Sequence, residues 1–385
     1  MRPDSYWKQA AVCVMALMIL LVSGGRAESY AMGGGYRAQA QTLYSPDKVI
    51  ITDDEPAGGG DNSGQAQITN VGGESGQDSQ AQQTSGQEAQ ASQPAPVTAA
   101  FGSVQTAVTD SSSWFGAGRL TMLANHDTTS QNLSVIIETG AGGLIVVDGG
   151  WTNNADYLLN QIKQKGGHVQ AWLITHPHSD HAGALAEILY KHSGEITIDG
   201  IYYSFLDDAW YQEKEPGSFG TIGYVRGALA QAPPEILHGN IVAGQVIEAG
   251  PAKIQVLNQA YKTSSDFVNN SSVAYLVSLN GTNVVFLGDL ALAGGTQLMA
   301  DVDLRSLGCD IVQMAHHGQN GVGYEVYKAL KPRVCLWPTP QWLWDNDNGG
   351  GYNSGTWATQ ETKNWMVRLG VSATYCTKDG DQVIE

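Results

Sequence analysis

Four residues with metal-binding side chains fall within six positions of Trp172–Gly183, which reads WLITHPHSDHAG. His176, His178, Asp180 and His181 offer three imidazoles and a carboxylate just after a short apolar run, Trp172–Ile174. Such a run reads as a buried strand, and Pro177 and Gly183 punctuate a loop after it. Along an extended loop, residues two apart project to the same side, so His176 and His178 can grip one ion. Asp180 and His181 then face a neighbouring point and can grip a second. The donor set suits Zn²⁺, with Mn²⁺ or Fe²⁺ as alternatives. A single histidine at a strand end is commonly a polar cap; four donors in six positions are not accounted for that way.

Two later segments also run from a strand into potential ligands. Asn283–Leu290 reads NVVFLGDL and sets Asp289 just beyond a strand and a glycine, where it is the natural carboxylate to bridge two ions. Ile311–Gly318 reads IVQMAHHG. Adjacent histidines point in different directions, so one of His316 and His317 can bind metal while the other faces substrate. Five of the nine histidines lie in these two histidine motifs, which is not the scatter of surface residues. Asn269–Ser272 reads NNSS, and Asp148 ends the run VVDGG, where Gly149 and Gly150 allow a tight turn.

The H-P-H-S-D-H run resembles the H-x-H-x-D-H signature of the metallo-β-lactamase superfamily. That resemblance implies an α/β four-layer αββα sandwich with a one- or two-metal site at one edge between the sheets. The whole series, D-G-G, H-x-H-x-D-H, N-N-x-S, G-D and H-H-G, is similar to that of ComEC-type competence proteins and of secreted phosphorylcholine esterases. It covers about Leu120 to Glu385, with the final T-K-D-G-D-Q-V-I looking like a closing hairpin. The resemblance implies two divalent ions held by His176, His178, Asp180, His181, Asp289 and one of the paired histidines, taken as His317. It places Asp148 behind the ligands, and His316, Asn270 and Ser272 behind them or against substrate, with Asp180, His316 and His317 as the catalytic residues. His238 is the sole candidate for the further histidine that many superfamily members carry before the bridging aspartate. Where the ComEC-type pattern has Y-G-H-P, this chain has Tyr352-Asn353-Ser354, which argues against a nuclease.

Two ions about 3.5–4 Å apart generate a shared hydroxide at neutral pH and clamp the attacked group, so hydrolysis needs no side-chain nucleophile. The unligated histidine can stabilise an oxyanion or protonate the leaving group. By resemblance the substrate is a phosphodiester, either a small molecule or polymer-attached. A carboxylic ester or lactone hydrolase of the same fold is the alternative, and a non-catalytic tethered metal-binding module is another.

The elements that must position these residues alternate. Strands are expected at Leu120–Ala124, Leu133–Glu138, Gly143–Asp148, Ser272–Leu279, Asn283–Leu287, Asp310–Ala315, Arg333–Trp337 and Ser372–Thr377. Helices are expected at Ala155–Lys165, Ala182–His192, Gly321–Leu330 and Trp357–Leu369. Two sheets with helices outside fit this order. Aromatic residues gather at Tyr202–Tyr211 and in the Gly/Asn/Asp-rich stretch from Trp337 to Trp357, where they either pack the loop down or stack on a ligand.

Upstream the composition changes. Met1–Ala27 has the charged start, apolar stretch and small-residue end of a signal peptide, which implies a secreted or cell-surface protein. Any membrane contact is then through this segment alone, if it is uncleaved. Residues 28–112 are rich in Gly, Gln, Ser and Ala and read as a disordered linker, leaving 113–385 as the hydrolase domain. A net charge of −17 argues against duplex nucleic acid and anionic membrane as partners. Cys309, Cys335 and Cys376 sit in apolar runs and read as buried free thiols.

Overall fold

Alternation along each strand decides which residues meet across the middle of the molecule. The structure is a computed structural model and describes residues 113–385; the expected signal segment and linker lie outside the described residues. The first half contains β1 (Arg119–Met122), β2 (Ser134–Glu138), β3 (Leu144–Asp148), α1 (Ala155–Gln164), β4 (His168–Leu173) and α2 (Ser179–Lys191). After it come β5 (Thr197–Ile198), β6 (Ile201–Tyr202), α3 (Asp208–Lys214), α4 (Phe219–Leu229) and β7 (Leu237–His238). The second half opens with β8 (Val246–Ala249), β9 (Ala252–Val256), β10 (Tyr275–Leu279), β11 (Thr282–Phe286), α5 (Leu292–Asp301) and β12 (Ile311–Gln313). It ends with α6 (Tyr324–Leu330), β13 (Val334–Trp337), α7 (Gln341–Trp344), α8 (Thr359–Arg368), β14 (Ala373–Cys376) and β15 (Gln382–Ile384).

The strands form two sheets, in the orders β15-β1-β2-β3-β4-β6-β7, with β5 also paired to β4, and β14-β13-β12-β11-β10-β9-β8. Val135, Ile137, Ile145, Val147 and Leu173 point inward, into one core with Ile254, Val256, Tyr275, Val277 and Phe286 of the facing sheet. Their neighbours Ile136, Val146 and Trp172 point outward onto Leu158, Ile162, Leu185 and Ile188 of α1 and α2. On the other side Val285, Val312 and Cys335 meet Leu298, Tyr327, Leu330 and Met366 of α5, α6 and α8. A period of two thus buries both faces of each sheet, and the result is the expected four-layer αββα sandwich. The three described cysteines are buried and unpaired. No helix among the described residues is long and apolar enough to cross a membrane.

Two local expectations are corrected. Helix α2 starts at Ser179, not Ala182, so Asp180 and His181 stand on its first turn, while His178 is the extended N-cap residue. Asp180 there faces the positive end of the helix dipole. The final segment is no hairpin: Thr377–Asp379 forms a 3₁₀ turn, and Gly380 (φ 90°) sends β15 across to pair with β1 of the other sheet.

Topology then collects the chemistry. Strands β3 and β4 run parallel, as do β11 and β12, so in each sheet the loops that leave these strands emerge at one edge. Asp148 ends β3 at that edge, and the loops carry His176 and His178, Asp289, and His316 and His317.

Candidate metal centre

The Asp289 carboxylate is the centre of the cluster. Its Oδ2 lies 3.2 Å from His181 Nε2, 3.4 Å from His317 Nε2, and 3.9 Å from the Nε2 atoms of both His176 and His316. His317 Nε2 is also 3.2 Å from Asp180 Oδ2 and 3.3 Å from His181 Nε2. On the other flank His176 Nε2 and His178 Nδ1 are 3.0 Å apart. Two donor triads result, His176 with His181 and Asp289, and Asp180 with His181 and His317, and every member is buried.

Hydrogen-bond partners fix which nitrogens are free. His181 Nδ1 donates to Asp148 Oδ2 (2.8 Å), and His317 Nδ1 donates to the Pro338 carbonyl (3.0 Å). The Thr175 hydroxyl gives its proton to Asp148 Oδ2 (2.7 Å), so at 3.1 Å it accepts from His176 Nδ1. His178 Nε2 donates to Glu215 Oε1 (3.2 Å). The inward-facing nitrogens of His176, His181 and His317 are then the ones left for a shared proton or a cation, and they converge with the Asp180 and Asp289 oxygens, while the expected ligand His178 touches His176 but lies outside both triads. Acceptors facing only acceptors in a buried space call for a proton or a cation between them. Asp289 Oδ1, also buried, has no hydrogen-bond partner in the protein. The residues fit divalent cations with imidazole and carboxylate ligands.

The electrostatics agree. Burial opposes a charge on His181, but Asp289, Asp148 and Asp180 outweigh it and hold its pKa well above the ordinary value. Burial likewise opposes protonation of His317, yet Asp289 and Asp180 push its pKa up to about 9. Asp289 is kept ionised well below the usual carboxylate range, against burial, by His181, His317 and His316. His176 goes the other way: burial and the neighbouring His181 charge push it well down, so its lone pair stays available.

Local backbone geometry supports this placement at some cost. Asp148, His316 and His317 all have left-handed φ values, 55°, 51° and 54°. Such conformations are uncommon outside glycine, although Asp and His tolerate them better than most, and they mark sites held by their surroundings. Gly288, at φ 56°, precedes Asp289, and a Cβ there would come within 2.8 Å of Ser272 Oγ and Thr175 Cβ. Ser272 Oγ accepts from the Asp289 N–H (3.0 Å) and lies 3.2 Å from His176 Nδ1.

Gln313, fully buried in β12, was not singled out from the sequence. Its Oε1 accepts from the N–H groups of Leu287 (2.9 Å) and Gly288 (2.8 Å), and its Nε2 donates to the Gly288 and Met314 carbonyls. This one amide clamps the turn that aims Asp289. Gln313→Leu is expected to cost about 1–3 kcal/mol of stability by stranding those backbone groups. Urea unfolding measures it, and an unchanged midpoint would contradict the clamp.

Other expected residues stand elsewhere. Asn270 is buried with its side chain turned to backbone: Oδ1 accepts from Ala291 and Gly294 N–H (both 2.9 Å), at the start of α5. It holds the chain after Asp289 and does not face the cluster. His238 lies in β7 at the sheet edge with its ring stacked on Tyr202 at 4.4 Å, outside both donor triads. His316 is half-buried at the mouth, with Asn269 Nδ2 3.4 Å from its Nε2. In the late aromatic stretch, Trp337 and Trp344 are core residues at 5.2 Å. Trp342 stacks edge-on against Trp357 and donates to the Thr129 carbonyl (2.7 Å). Packing thus accounts for most of this cluster, while Tyr352 remains 70% exposed.

Residues 127–253, which include the whole first histidine motif, match the family model of the Metallo-beta-lactamase superfamily. The chain has the metallo-β-lactamase fold. Superfamily members are in general metal-dependent hydrolases. A curated relative, the beta-lactamase hydrolase-like protein of Agrobacterium fabrum, is 26% identical over 154 residues, covering 36% of each chain. The present chain therefore matches about a third of that relative's length. Among solved structures, the metallo-beta-lactamase fold protein YhfI of Bacillus subtilis is 11% identical, with 70% of this chain and 99% of that chain covered and a TM-score of 0.44. CmlA, a diiron beta-hydroxylase of Streptomyces venezuelae, is 12% identical, with 70% and 54% covered and a TM-score of 0.41.

Proposed function

We propose that the chain is an exported metal-dependent hydrolase of phosphodiester bonds that works with two divalent ions, Zn²⁺ in the first instance. The observation that carries this is the position of Asp289 Oδ2, 3.2–3.9 Å from four imidazole nitrogens that belong to both flanks of the cluster. Asp180, His181 and His317 would hold one ion, His176 and His178 the other, and Asp289 would serve both. Bound there, such ions supply activated water and neutralise charge on the attacked group.

The protein's own residues do the rest. Asp148 and Thr175 keep His181 and His176 in the tautomers that leave the inner nitrogens free. His316, kept neutral mainly by burial, is the imidazole at the open side, suited to exchanging a proton with substrate. The order of motifs, with N-N-x-S before G-D and H-H-G after it, favours a phosphodiester over a lactam or thioester through the ComEC-type resemblance. Export rests on the signal-like Met1–Ala27 segment.

A substrate panel on metal-loaded protein tests the reading. Bis(p-nitrophenyl) phosphate is expected to be cleaved, and EDTA to stop it. Cleavage of p-nitrophenyl acetate or a lactone alone would shift the assignment to an ester hydrolase. A metal-loaded protein inert to all of them would point to a binding module.

A further inference from the structure

Three of the four ligand-type imidazoles are oriented by groups of the sandwich itself: Asp148, Thr175 and the Pro338 carbonyl. His178 differs, because it sits at the N-cap of α2 and turns its outer nitrogen away from the sheets. That nitrogen meets Glu215, the residue that ends α3 in the segment between β6 and β7. Glu215 Oε1 accepts from His178 Nε2 (3.2 Å) and from the Ser218 hydroxyl (2.7 Å), and Oε2 accepts from the Val268 N–H (3.2 Å). No lysine or arginine among the described residues pairs with it. Its side chain and that of His178 are only 23% and 17% exposed.

We infer that Glu215 is a positioning residue for the His176–His178 ion: by accepting the Nε2 proton of His178 it fixes the tautomer and ring angle that turn Nδ1 toward His176. The inference rests on the two-ion reading above and deepens it by assigning the α3 segment between β6 and β7 a part in metal binding. A carboxylate behind an imidazole ligand raises its basicity and restrains its rotation, and losing such a partner typically costs about 10–100-fold in metal affinity. Without Glu215, what remains beside His178 Nε2 among the described residues is the Ser218 hydroxyl at 3.5 Å. Glu215 also grips the Val268 N–H, one residue before Asn269, whose amide reaches His316. The same carboxylate thus joins the α3 segment to His178 on one side and to the Val268–Asn269 turn on the other.

The test is Co²⁺ titration of the full chain, followed by ligand-field absorption and by bound-metal analysis, for wild type, Glu215→Leu and Glu215→Gln. The wild type is expected to take up two ions. Glu215→Leu is expected to keep one at unchanged affinity and to bind the other about 10–100-fold more weakly, with altered absorption for that ion only. Glu215→Gln, whose carbonyl still accepts the His178 proton, should recover part of the loss. A merely structural role would instead lower the melting temperature of the metal-free protein and weaken both ions together, which overturns the inference. Should Glu215→Leu not fold, Glu215→Ala decides: two ions bound as in wild type would dismiss Glu215 while leaving the two-ion reading intact. A wild type that binds no metal would remove both.

Discussion

Asp289→Ala is expected to abolish hydrolysis, by on the order of 10³-fold or more, and to leave no pair of bound ions. The reason is that, in the two-ion assignment, one oxygen serves both ions: Asp289 Oδ2 lies 3.2 Å from His181 Nε2 and 3.9 Å from His176 Nε2, so its loss opens that triad, and it also withdraws the charge 3.4 Å from His317 Nε2 of the other. The metal-free fold should survive. Asp289 is buried with Oδ1 unpartnered and Oδ2 against His181 and His317, so its loss weakens the metal-free fold without removing any of the sandwich core. Near neutral pH the variant should melt below the metal-free wild type, because Asp289 is the foremost carboxylate holding His181 and His317 protonated, and it should also lose the upward shift that added metal produces. Bound-metal analysis beside thermal melts would reveal this. Two ions retained in Asp289→Ala would show that the bridge lies elsewhere.

The second large effect joins metal to pH. Stripping divalent ions should lower the melting temperature substantially. One site filled at about 1,000 times its Kd contributes about 4 kcal/mol, or roughly 8–16 °C for a domain of this size. The sign with pH follows from two histidines. His317 has its pKa pushed up to about 9, and His181 lies well above the ordinary value, both held there by carboxylates against burial. Raised above an unfolded value of about 6.5, these groups stabilise the metal-free fold fully at lower pH, and that contribution disappears as pH climbs through about 9. Metal competes for the same nitrogens, so its affinity strengthens over that window as the protons leave. The gap between metal-loaded and metal-free melting temperatures should widen from pH 6.5 to pH 9. A gap that stays flat or narrows would mean that His181 and His317 are not ligands.

How much of this was legible beforehand depends on where each signal resides. His176, His178, Asp180 and His181 share six positions, so local spacing exposes them; Asp289 and His317 follow strands and stand out only in series with the first motif. The strand pattern was equally open, because inward and outward residues alternate as in Val135, Ile136 and Ile137. Glu215 and Gln313 carried no such mark. Glu215 sits in the run EKEPGS, which reads as solvated charge, and only the tertiary approach of α3 to the α2 N-cap gives it a partner. Gln313 is one polar residue in an apolar strand, and its worth lies in a neighbouring strand's turn. The final segment misled because Gly380 permits a tight reversal, whereas the partner strand, β1, lies at the far end of the described chain.

The left-handed backbone at Asp148, His316 and His317 has a bearing on engineering. Glycine is the residue that adopts that conformation without steric penalty, so at His316, whose ring makes only long hydrogen bonds, to Asn269 and Asn320, a substitution to glycine should relax the chain as it deletes the functional group, whereas at Asp148 and His317 it would strand buried hydrogen-bond partners. Variants that are inactive yet sturdier than the parent are then the outcome to look for, and they would serve as inert scaffolds for trapping uncleaved substrate.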